Sequence, residues 1–210
     1  MSPALRAPTV LARAEVRDQG SRFFAHLLPV DSVEAAQAEV ARLRAAFPDA
    51  THHCFAWRLG APPVERGSDA GEPAGTAGAP MLAVLRGAGL TDVLAVVVRY
   101  FGGTKLGRGG LARAYAEAVR RAVAEVATRE VVERVELDLV LAYEKVGAVR
   151  RLISPGRVEL VAERYGEAVE VTLAVAIAEE AAVVSALADL ALAPRARRAG
   201  HSIVRPRGLV

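Results

Sequence analysis

After an apolar run, the chain carries Arg99, Tyr100 and Phe101, then the segment GGTKLGRGG at residues 102–110, and then a helical pattern. These residue types suit an anion. Gly102, Gly103, Gly109 and Gly110 let the backbone approach a ligand and adopt positive φ. Free N–H groups and the dipole at a helix start favour negative charge. Arg99, Lys105 and Arg108 add full positive charges, with Arg113 close behind. The segment is not a nucleotide-hydrolase phosphate loop, because Leu106, not a magnesium-holding serine or threonine, follows Lys105. Nor does its glycine spacing match the dinucleotide fingerprint GxGxxG. The competing reading is that the glycines only permit a tight strand-to-helix turn, and the residues alone leave both open.

A second glycine stretch, GEPAGTAG at residues 71–78, also precedes a helical pattern, with Thr76 placed to cap it. Its Glu72 is the one weak catalytic candidate: a general base, a metal ligand or, as expected here, a solvated charge. In the strand-like THHCFAWRL, His52, Cys54 and Ala56 share one face, and His53, Phe55 and Trp57 the other. No second Cys/His pair completes a zinc set, so no metal is expected, and Cys54 reads as a buried thiol. A triad drawn from His26, His52, Asp69 and Glu72 would have to assemble in space, since nothing in the spacing argues for it. No cofactor motif is present.

Around these residues the pattern predicts an α+β protein. TVLARAEVRD and SRFFAHLLPV read as a hairpin turning at Gly20. Asp31 or Ser32 caps a helix that buries Val33, Ala36, Val40, Leu43 and Phe47 and stops at Pro48. Residues 60–76 read as a long loop. A short helix over about 77–87, a central strand DVLAVVVRY and a helix over about 111–127 follow. Beyond Thr128 the chain restarts as strand, short helix, two strands about Gly166, a helix over 179–190, and an edge strand containing Ile203 and Val204. That order, βαββαβ, is the ferredoxin-like split unit. The expected domains are 1–129 and 130–210.

The 210 residues suffice for two small cores. No apolar run reaches the roughly 20 residues of a membrane span, and no signal peptide is visible at the start, so no membrane partner is expected. The single cysteine fits a reducing cytoplasm. Net charge is +3 with a pI near 9.4, and lysine occurs only at Lys105 and Lys145. The absence of asparagine fits a thermophile, or a GC-rich genome.

HHCFAW, GEPAGTAGAPML and VVVRYFGGTKLGRGGLARAY, with SRFFAHLLPV ahead of them, resemble in order and spacing the IMPACT/YigZ family, over roughly residues 10–125. That family commonly has two adjacent acidic residues before GEP. Here Ala70 takes the second position, leaving Asp69 and Glu72, which puts a paired-carboxylate mechanism in doubt. The resemblance implies an N-terminal ribosomal protein S5 domain 2-like fold with a left-handed βαβ crossover, against the usual preference. It implies a ferredoxin-like C-terminal domain similar to elongation factor G domain V. It also implies work on RNA or the ribosome.

Three functions compete. The first is a non-enzymatic RNA- or ribosome-binding protein of the translation apparatus, using Arg99, Gly102, Gly103, Lys105, Arg108, Gly109 and Gly110, with Tyr100 and Phe101 placed for stacking. The second is an enzyme holding a small anionic substrate between the two glycine loops, with Glu72 as acid or base. The third is a protein-interaction module that offers the C-terminal domain to a partner. They rank in that order.

Overall fold

The computed structural model describes residues 5–203. The chain divides into two compact units, Met1–Glu130 and Val131–Val210.

The first unit is built on β2 (Ala12–Asp18), β3 (Ser21–Pro29), β4 (His52–Leu59), β5 (Val64–Ser68) and β6 (Val93–Tyr100), preceded by a short β1 (Arg6–Pro8). The sheet order is β2-β3-β6-β4-β5, antiparallel throughout. The β2–β3 turn is the two-residue kind. Asp18 pairs with Ser21, and Gln19 and Gly20 both take positive φ, which matches the twist of the flanking strands. Strand β6 lies in the middle, so its unbroken apolar run is buried on both faces.

Each face has its own helices. Helix α1 (Val33–Ala46) starts where the Ser32 hydroxyl accepts a hydrogen bond from the Ala35 N–H and ends at Phe47, before Pro48. It packs Ala36, Val40 and Leu43 against Trp57, Leu94, Val96 and Val98. The opposite face is covered by α2 (Gly78–Gly87) and α3 (Gly107–Glu125). There Met81, Leu85, Leu111, Tyr115 and Val119 pack on Phe23, Cys54, Ala56, Val93, Ala95 and Val97. The alternation along β4 and β6 thus feeds two cores from one pair of strands.

Strand β7 (Thr128–Leu141) pairs its first residues with β1 in the first unit and continues into the second. The second unit then runs α4 (Val146–Arg150), β8 (Val158–Tyr165), β9 (Val169–Ala176), α5 (Glu180–Asp189) and β10 (Arg195–Ile203), with single 3-10 turns before both helices. The sheet order is β10-β7-β9-β8, again antiparallel. Its core gathers Leu137, Leu139, Leu141, Val158, Leu173, Val183 and Leu187. The Lys145 ammonium donates to the Leu190 carbonyl at 2.7 Å, where it satisfies an orphan carbonyl beyond α5.

Two expectations need correction, and one short strand was not expected at all. The long loop after Gly60 contains β5, a strand whose polar sequence VERGS hides it; its pairing with β4 comes from tertiary context. Helix α3 starts at Gly107 rather than near Leu111, because packing against the sheet overrides the poor helix propensity of glycine. Strand β1 is too short to leave a periodic signal. Val204, expected in the last strand, lies outside the described residues.

The core of the second unit shares no residue with the two cores of the first, so fragments 1–130 and 131–210 are expected each to melt cooperatively. Scanning calorimetry of both fragments and of the whole chain checks this; a boundary drawn at 130 is wrong if only the whole chain melts.

Candidate functional site

At the C-terminal end of β6 the strand delivers Arg99 into a cluster rather than to solvent. Its Nη1 donates to Glu72 Oε1 at 2.6 Å, and the two side chains are only 6% and 3% exposed. Its Nη2 reaches the Ser21 hydroxyl at 3.3 Å, and the guanidinium carbon lies 5.3 Å from the Phe23 ring and 5.6 Å from Phe101. Glu72 Oε1 also accepts from the Tyr115 hydroxyl at 2.7 Å. His52 Nδ1 meets the Ala70 carbonyl at 3.0 Å, so that nitrogen carries the proton. His52 Nε2 faces Glu72 Oε1 at 3.9 Å. Cys54, on the same strand face, donates its one thiol proton to the Asp69 carbonyl at 2.9 Å, and its sulfur lies 3.3 Å from the Tyr115 hydroxyl.

This geometry corrects two sequence readings. Glu72 is not a solvated charge: it is buried and ion-paired. Arg99 is not an open anion contact, because Glu72 already occupies its charge. A buried pair is tolerated only when further hydrogen bonds serve both partners, and Ser21 and Tyr115 supply them here. Ser21 and Tyr115 were missed as members of this cluster. The available signal was Tyr115 itself, a hydroxyl in an otherwise apolar helix stripe, which must find a partner when buried. Burial pushes the Cys54 thiol up to about 12, and burial likewise raises the Tyr115 phenol. At neutral pH both hold protons and donate. His26 does not join the cluster; it sits on the α1 face, its ring 5.6 Å from Phe47.

Asp69 performs a different task. Its carboxylate accepts from the N–H groups of Gly75, Ala77 and Gly78 at 2.8–2.9 Å and so caps α2 from eight or nine residues upstream. Thr76, the expected cap, instead donates its hydroxyl to the Pro73 carbonyl. Burial works to raise the Asp69 carboxyl, but the three N–H donors and Arg108 outweigh it and hold the carboxyl low.

Helix α3 has no comparable cap. Leu106 offers no side-chain acceptor, and the first turn holds no acidic residue. Residues 101–105 and 107–109 are exposed, including Phe101 at 46%. Lys105 and Arg113 are exposed, and Arg108 donates one hydrogen bond to the Ala74 carbonyl at 2.7 Å, which ties the two glycine stretches together. The glycines divide by role. A Cβ on Gly102 would stand 1.9 Å from the Gly20 carbonyl carbon, and one on Gly110 2.9 Å from Leu106 Cβ, so both serve packing. Gly103, with φ of +89°, and Gly107, with +69°, face open space. Gly109 is nearly open, with the Arg113 guanidinium 3.8 Å from its Cβ position.

Residues 19–123 match the family model described as Impact N-terminal domain. The IMPACT family member YigZ of Escherichia coli (strain K12) is 41% identical over 172 residues, 80% of this chain and 84% of the relative. An IMPACT family member of Thermus thermophilus is 40% identical over 141 residues, 67% of this chain and 76% of the relative. A crystal structure described as that of a hypothetical protein covers 93% of this chain and 97% of its own, at 36% identity and a TM-score of 0.69.

Replacing Glu72 by alanine leaves a buried guanidinium unpaired, so Glu72→Ala is expected to destabilise the fold by about 3–5 kcal/mol; urea unfolding of variant and wild type measures it. The Asp69 carboxyl is depressed in the folded chain, so its cap stabilises fully above the ordinary carboxylate range and is lost as pH falls through the lowered value. Asp69→Ala is therefore expected to cost about 1–2 kcal/mol at neutral pH and progressively less in acid; melting curves from pH 7 to pH 3 would expose an error if the gap stayed constant.

Proposed function

The chain belongs to the IMPACT family, and from that premise we propose that it is a non-enzymatic binding protein of the translation apparatus whose first unit grips RNA backbone phosphate at the start of α3. The observation that carries this reading is a division of charge. The two carboxylates nearest the glycine segments are consumed internally, Glu72 by Arg99 and Asp69 by the start of α2. Lys105, Arg108 and Arg113 face outward beside an uncapped helix start. Such a surface attracts phosphate through full charges and free N–H groups together. The exposed Phe101 ring offers a face for a base to stack on.

The translational setting rests on the resemblance of the first unit to ribosomal protein S5 domain 2 and of the second to ferredoxin-like elongation factor G domain V. The βαββαβ order and the β10-β7-β9-β8 sheet are compatible with the latter. An RNA or ribosomal partner and a cytoplasmic setting follow from it, and among the described residues no helix is long and apolar enough to cross a membrane. A second reading has one observation in its favour: the two glycine stretches do meet, through Arg108 and Ala74. An enzyme acting on a small phosphorylated substrate would use that junction, but its carboxylate, Glu72, is already engaged by Arg99 and Tyr115.

The double variant Lys105→Ala/Arg108→Ala is expected to lose less than about 1 kcal/mol of stability, since both side chains are exposed. RNA affinity should fall, and the slope of log K against log salt should shrink by about one per lost phosphate contact. Filter binding with a structured RNA across a salt series checks this. Equal binding by the variant would reduce the segment to a turn. No RNA binding by the wild type, together with a small phosphorylated compound that it retains and the variant loses, would favour the enzyme.

A further inference from the structure

We propose a second binding site in the first unit, in the groove between α1 and the β4–β5 hairpin, for a small planar aromatic anion: one flat ring system that carries a phosphate or carboxylate directly or through a short linker such as a ribose. The site does not depend on the RNA reading. It lies on the α1 face of the sheet, whereas α3 and its glycine segment belong to the other face.

The groove exists because α1 packs over β4 and β6 and stops short of the edge strand β5. It encloses about 320 Å³, at the small end of ligand pockets. Its floor is aromatic: Phe55, partly exposed, and Trp57 line it from β4, and Val40 lines it from α1. The β4–β5 register sets Arg66 opposite Trp57 and Ser68 opposite Phe55, on the same sheet face. From the helix side come Gln37 and Arg44, seven residues apart and therefore on one side of α1.

Arg44 and Arg66 decide the ligand's charge. Both are exposed, and neither has a carboxylate partner among the described residues, unlike the arginines around them. Arg42 pairs with Glu39, and Glu65, next to Arg66, is taken by Arg58 and Arg86 on the opposite face. Two unneutralised guanidiniums over an apolar floor focus a positive potential into the groove. A guanidinium fork matches a carboxylate or phosphate edge and also stacks on an aromatic plane. The apolar floor rewards the ring, and the flanking cations reward the acid group. The volume limits the guest to about one ring system with its substituent.

Trp57 is the sole tryptophan of the chain, so its fluorescence reports on this groove alone. The full chain is titrated with adenosine 5′-monophosphate and with benzoate as probes, and with adenosine and inorganic phosphate as half-ligands. At least one ring anion should change Trp57 emission saturably, and each half-ligand should bind on the order of tenfold more weakly. Arg44→Gln and Arg66→Gln should each weaken that binding by a similar factor. Ala41→Trp/Trp57→Phe, which fills the groove from an exposed helix position, should abolish it by calorimetry. Lys105→Ala/Arg108→Ala should leave it unchanged, which separates this site from the phosphate surface. Circular dichroism melts confirm that the variants fold. The proposal is overturned if neither ring anion gives a saturable change, if the arginine variants bind as the wild type does, or if only a single-stranded oligonucleotide moves the signal.

Discussion

The ion pair between Arg99 and Glu72 is the constraint around which the end of the first unit near the close of β6 is arranged. Removing two charges from water is costly, and their mutual attraction offsets that cost only with good geometry and further hydrogen bonds. Meeting that condition recruits Ser21 from the start of β3, Tyr115 from α3 and, at longer range, His52 from β4. Five segments far apart in sequence, the GEP segment included, thereby meet at one ion pair. The GEP segment is held against the end of β6. Once it is held, Asp69 lies where it can cap α2, and the Ala74 carbonyl lies where Arg108 reaches it. The outward glycine segment is thus presented from a fixed base.

The same sheet carries two chemically different faces because β4 alternates strictly. His52, Cys54 and Ala56 turn toward α2 and α3, where a polar cluster is buried among small side chains. Phe55 and Trp57 turn toward α1, where the packing is apolar and incomplete at β5. The incompleteness is geometric. A single 14-residue helix seated over β4 and β6 cannot cover a five-stranded twisted sheet, and the edge strand β5 is among those it leaves bare.

Much of the scaffold was legible from periodicity. The hairpin at Gly20, the Ser32 cap, the stop before Pro48, the central position of β6 and the strand–helix order after Thr128 each rest on a local signal that tertiary packing does not oppose. Of the candidate site, Gly103, Lys105, Arg108 and Gly109 lie exposed, whereas Arg99, Gly102, Gly110 and Glu72 serve packing or pairing. What sequence could not disclose were long-range partnerships. Asp69 caps a helix that begins nine residues later, and Gly102 is required by the backbone of Gly20, eighty-two residues earlier. Neither spacing leaves a pattern, because the distance in space is set by the sheet and not by the chain.

Arginine shows most plainly why composition alone is a poor guide to function here. The protein uses arginine for nearly all its positive charge, and the same side chain performs opposite tasks. Arg58, Arg99 and Arg134 are buried and paired with Glu65, Glu72 and Glu159, and Arg58 also bonds the carbonyls of Leu85 and Leu90 near the end of α2. These three are structural because a fork of five donors can serve several acceptors at once, which an ammonium does less well. Arg44, Arg66 and Arg113 carry the same charge at the surface without a carboxylate partner among the described residues. A net charge of +3 averages over both populations and conceals the second. The distribution of the carboxylates, and not the net charge, therefore decides which of the arginines stay open at the surface.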